Sequence, residues 1–132
     1  MKNKNFFYKS IILLGFVLFI AACNNYGEKL KFNGATLYYK SPVTLEDANK
    51  LGEYLVETDF FDGTPKTLQL NKNDTAWVLK IIINPGTEED KETIDVVNQF
   101  SKELSYNIFE NKPVEIHLCN KKFKTIKIIV AV

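Results

Sequence analysis

The sequence predicts an α+β domain with elements in the order β-α-β-β-α-β-β, a mostly antiparallel sheet and both helices on one face. Three observations carry this expectation. Two segments repeat apolar residues at helical spacing, two pairs of β-rich segments are separated by short turn sequences, and one more β-rich segment comes first. The composition suits a packed core, with 45% hydrophobic and 25% charged residues, which argues against disorder throughout.

Thr36 to Lys40 (TLYYK) is rich in β-formers and reads as the first strand, broken by Ser41-Pro42. Thr44 is an N-cap candidate, with Glu46 and Asp47 placed to favour a first helical turn. Ala48, Leu51, Leu55 and Val56 then recur at helical spacing, and the helix should stop near Asp59, before Phe60-Phe61 and the turn at Asp62-Gly63. Lys66 to Leu70 and Ala76 to Ile83 form an expected hairpin around Asn71-Lys72-Asn73-Asp74. After Asn84-Pro85-Gly86, Thr87 is the expected cap of a longer helix with Ile94, Val97, Phe100, Leu104 and Ile108 on its buried stripe. Val114 to Cys119 and Lys124 to Val130, turning at Asn120-Lys121, make the last hairpin.

A shift of the chain against itself by 48 residues places Phe61 on Phe109, Gly63 on Asn111, Pro65 on Pro113, Leu68 on Ile116 and Leu70 on Leu118. The pattern suggests an internal duplication of an α-β-β unit. Two chance helix-hairpin segments are the competing explanation.

The first 23 residues carry a separate message. Lys2, Lys4 and Lys9 precede the uninterrupted apolar run Ile11 to Ala22. Twelve helical residues cover about 18 Å, short of the ~30 Å hydrocarbon core, so the run reads as a cleavable leader over residues 1–22. Ile20-Ala21-Ala22-Cys23 resembles the lipobox of bacterial lipoproteins: a branched apolar residue, two small residues and a cysteine. That resemblance implies cleavage between Ala22 and Cys23, a thioether-linked diacylglycerol on the Cys23 thiol, and anchorage on the extracytoplasmic side of a membrane. Asn24, in place of an aspartate, favours the outer membrane where the bacterium has one. Residues 23–31 are then the lipidated cysteine and a polar tether, Asn24 to Lys31 spanning at most ~29 Å, and residues 32–132 a single domain.

Charge and cysteine usage narrow the options further. All 17 basic residues are lysines, and beyond Cys23 fourteen of them face 16 acids. A weakly acidic domain without a guanidinium lacks the forked donors that grip phosphate and guanine, which argues against nucleic acid as a partner. With Cys23 committed to lipid, Cys119 has no intramolecular partner.

The richest place for chemistry is the last hairpin. Alternation sends Val114, Ile116 and Leu118 to one face and Glu115, His117 and Cys119 to the other. The second trio can all bind metal, but side chains two apart on a strand lie ~7 Å apart, wide for one small ion. His117 is the sole histidine, so any Ser-His or Cys-His catalyst must use it. Yet Ser41, Ser101 and Ser105 stand in no nucleophile motif, and no residue can be assigned to orient the ring. Glu88, Glu89, Asp90, Glu92 and Asp95 crowd a helix start without a calcium-loop pattern, which fits a solvated helix end. No cofactor motif is present. Among the aromatics, one of Tyr38 and Tyr39 should point outward and, with Trp77, is the candidate for an exposed binding contact.

The run LYY…VT…LGEYLVETDFFDG…LQL is similar to a recurring domain of uncharacterised bacterial envelope proteins, over most of Leu37 to Ile129, and that similarity implies no activity. The expected role is therefore a noncatalytic, membrane-anchored envelope lipoprotein that binds a protein or ligand near the bilayer. The competing expectation is a metal-binding or enzymatic protein using His117 and Cys119.

Overall fold

The computed structural model describes residues 26–131. The expected leader at 1–22, the expected cleavage junction Ala22-Cys23 and the expected lipidation site Cys23 lie outside those residues. Six strands form one sheet in chain order: β1 (Glu28–Phe32), β2 (Ala35–Tyr39), β3 (Thr67–Lys72), β4 (Trp77–Ile82), β5 (Val114–Cys119) and β6 (Thr125–Val130). Helix α1 (Leu45–Glu57) joins β2 to β3, and α2 (Lys91–Asn107) joins β4 to β5. The order is β-β-α-β-β-α-β-β, one strand more than the sequence predicts.

The extra strand lies where a polar tether is expected. In β1, Leu30 and Phe32 alternate with Lys29 and Lys31, and Asn33 and Gly34 turn the chain at φ of 43° and 85°. Asn-Gly between alternating residues is a hairpin signal, here masked by the charge density of EKLKF. Residues 28–31, expected as part of a tether, thus belong to the sheet. Gly34 is required twice over: its φ suits glycine, and a Cβ there would stand 2.6 Å from the Gly63 carbonyl oxygen.

Helix α1 starts as its sequence predicts. The Thr44 hydroxyl accepts from the Asp47 N–H and the Asp47 carboxylate accepts from the Thr44 N–H, each at 3.1 Å. The start of α2 differs from expectation. Thr87–Glu89 closes a short 3-10 turn after Gly86, at φ 97°, and the chain is extended at Asp90, which is the N-cap in place of Thr87.

Strand pairing is antiparallel at β1–β2, β3–β4 and β5–β6 and parallel at β2–β3 and β4–β5. Register sets Leu37 beside Leu68, Leu68 beside Ile81, Leu70 beside Leu79, Leu79 beside Ile116 and Ile116 beside Ile129, one continuous apolar face. Both helices cover it, supplying Ala48, Leu51, Leu55 and Leu104 to a single core with these residues. Because β2 and β3 run opposite to β4 and β5 while both connections step the same way, the two crossovers have opposite hands. One of them goes against the strong right-handed preference. The other side of the sheet presents Lys80, Glu115 and His117, so only the apolar side could receive α2.

The 48-residue pattern has a local counterpart. Phe61 and Phe109 are both buried, and Gly63 and Asn111 both adopt positive φ, at 96° and 64°. The likeness stops at the hand of the crossovers, which a rigid tandem copy would share.

Replacing Gly34 by Ala should cost about 2 kcal/mol, from the left-handed backbone and the clash with Gly63. Leu104→Ala, fully buried under α2, should cost about 3 kcal/mol. Equilibrium denaturant unfolding checks both.

Candidate functional site

The open face of the sheet holds the trio at the last hairpin. Glu115, His117 and Cys119 do share that side, and Thr125 joins them from β6. His117 Nε2 lies 3.1 Å from Glu115 Oε1, and Nδ1 lies 3.0 Å from the Thr125 hydroxyl. A carboxylate accepts, so Nε2 donates to Glu115, while Nδ1 is partnered by the Thr125 hydroxyl, which can donate or accept. Both ring nitrogens are thereby engaged within the protein. Cys119 is fully buried, its thiol donating to the His117 carbonyl at 3.4 Å, and burial raises its pKa above the ordinary thiol value. Its sulfur is poorly placed to ligate or attack. No group of three His, Cys, Asp or Glu side chains suited to a metal ion occurs among the described residues.

The aromatic candidates divide. Tyr38 belongs to the open face and Tyr39 to the helix face, as alternation requires. Trp77 is not an exposed contact: it is 6% accessible and stacks on Phe109 with ring centroids 4.4 Å apart. Its place on β4 beside Val114 turns the indole toward the core, which position in the chain alone did not settle. Tyr38 forms an edge-to-face cluster with Tyr26 and Phe123, whose rings lie 5.0 Å apart. Phe123, from the loop between β5 and β6, is buried by folding over the open face. Beneath the cluster, buried Gln69 donates to the Tyr26 carbonyl at 2.9 Å.

The helix face holds the feature that sequence reasoning missed. Only Ser101 and Leu104, in the C-terminal part of α2, are fully buried. Ser101 pins that part to the sheet through a 2.7 Å hydrogen bond to the Val114 carbonyl. Nearer the N-terminus, Ile94, Val97 and Phe100 are only half-buried. The gap is a groove of about 340 Å³ lined by Phe60, Ile81, Ile83, Val97, Phe100 and Leu118, with Val96 on its rim at 62% exposure. Phe60 and Phe100 stack at 4.9 Å along it. The helical stripe Ile94-Val97-Phe100 was legible as core. That it would stand off from the sheet depends on the short turn before α2 and on where Ser101 is held, neither of which periodicity reports.

A single sheet with a helix pair on one side and an apolar groove under one helix defines the class: a small α+β domain with an apolar recess beside its core. Residues 29–130 match the model of the AF_1994_N family, described as a family N-terminal domain, and the chain belongs to that uncharacterised family. No curated protein and no solved structure matches the chain.

The buried Cys119 yields a direct test. In a Cys23→Ser chain, thiol reagents at pH 8 should label Cys119 at least tenfold more slowly in the native state than in denaturant. Labelling should accelerate as pH rises, because a raised pKa withholds the thiolate until more alkaline pH.

Proposed function

We propose that this protein is a membrane-anchored lipoprotein of the bacterial cell envelope whose domain is a noncatalytic binding module. In this reading Cys23 carries the lipid, and the groove beneath α2 receives an apolar group from a small ligand or from another envelope protein. The observation that carries the binding role is the groove itself, lined mainly by aliphatic and aromatic side chains, with Thr93, Gln99, Glu103 and the exposed Val96 also lining it. A concave apolar site of this size is the usual form of a ligand or side-chain pocket. The half-buried stripe on α2 supports it, since these residues gain contacts when the recess is filled.

The anchored location is supported by the leader and by Ile20-Ala21-Ala22-Cys23. The enzymatic or metal-binding alternative loses ground at His117 and Cys119, because the ring is engaged on both sides and the thiol is buried.

Two measurements test the proposal. Mature protein from the native host should begin at residue 23 with a diacylglycerol mass on its first peptide; a start elsewhere defeats the anchored reading. A Val97→Trp variant, which fills the groove, should reduce binding of an aliphatic fluorescent probe at least tenfold while leaving the fold intact by circular dichroism. Undiminished binding would remove the groove from the proposal.

A further inference from the structure

We infer that the open face of the sheet lies against an anionic lipid surface. The inference deepens the anchored reading above, on which it rests for the nearness of the bilayer; the charge pattern is independent of it.

The domain is electrically two-sided. Over Leu45–Glu57 and Thr87–Asn107, the segments on the helix side, ten acids oppose three lysines. The open face reverses this. Lys29 and Lys31 of β1 pair with Tyr38 and Thr36, and Lys80 of β4 pairs with Gln69, so all three belong to it. The loop that folds over the same face through Phe123 adds Lys121, Lys122 and Lys124, all exposed, and the Lys80 ammonium donates to the Phe123 carbonyl at 3.4 Å. Among the described strand residues of that face and this loop the one acid is Glu115, already engaged with His117. A chain slightly acidic beyond Cys23 thus places six of its 14 lysines there on a side where acids are scarce.

Beside the lysines the same face exposes apolar side chains. Ile128 and Val130 pair with His117 and Glu115, and are 53% and 47% accessible. Lysines around exposed aliphatic groups match an anionic interface, since ammonium groups meet phosphates while short apolar side chains enter the headgroup boundary.

The direction of the chain agrees. Tyr26 is fixed on the open face by Gln69 and Phe123, three residues after Cys23. Three extended residues reach roughly 11 Å. A lipid on Cys23 therefore draws this face, and not the acidic helix face, toward the bilayer, leaving the groove under α2 directed away from it.

The test uses the full chain produced in a bacterium and reconstituted in phosphatidylcholine vesicles with or without phosphatidylglycerol. Fluorescent labels are placed at Ile128→Cys on the open face or Tyr106→Cys on α2, where Tyr106 is 75% exposed. With phosphatidylglycerol present, the label at 128 should be quenched severalfold more slowly by an aqueous quencher than the label at 106. High salt, or K29E with K122E and K124E, should erase that difference, as each lysine near an anionic surface strengthens adsorption about fivefold. Equal quenching at both positions in both vesicles overturns the inference. The N-terminal peptide mass of the same preparation is read separately: an unlipidated Cys23 sinks the anchored reading alone, and a lipidated Cys23 with equal quenching sinks this one alone.

Discussion

One side of the sheet is apolar from β2 to β6, and the placement of every other element follows from covering it. Leu37, Leu68, Leu70, Leu79, Ile116 and Ile129 stand side by side across five strands through alternating parallel and antiparallel registers. A one-residue slip in any strand would exchange its leucines for residues such as Gln69, Lys80 or His117. This constraint is strong enough to hold two crossovers of opposite hand on one side, although strand twist prefers a single hand. Burying the ionisable residues of the other side without partners would cost more than the twist mismatch.

The two sides then take different tasks. The helix side contains the core and, because α2 is held tightly only around Ser101 and Leu104, leaves an apolar recess at its other half. The open side is polar, basic and partly roofed by Tyr26, Tyr38 and Phe123. Gln69 and Thr36 are buried on it although no helix lies above them. Tyr26 is a structural contact of this roof: its backbone carbonyl accepts from the buried Gln69 amide.

Membership in an uncharacterised family leaves the physical chemistry of the site as the guide to its role. The trio Glu115, His117 and Cys119 shows why residue type alone is a poor guide. Its three members share a face as the strand period requires, and they hydrogen-bond to one another and to Thr125. The groove shows the converse, since its aliphatic lining looks like ordinary core in the sequence and differs from core only in being unfilled.

Much of the fold was readable from the chain. Thr44 with Asp47 marked a helix start, Asn73 and Asn120 marked turns, and alternation in Val114 to Cys119 gave the correct faces, because these signals are local bonds and periods. Three features were decided by the tertiary structure. EKLKF is a strand because β2 offers an edge and α1 covers Leu30 and Phe32, which its own composition does not reveal. Trp77 is buried because Phe109, 32 residues away, stacks on it. The groove and the basic face exist only once the sheet brings distant segments together. Sequence periodicity determines which side of an element is apolar; the distance at which that side meets its neighbour, and which charges gather opposite it, are properties of the assembled sheet.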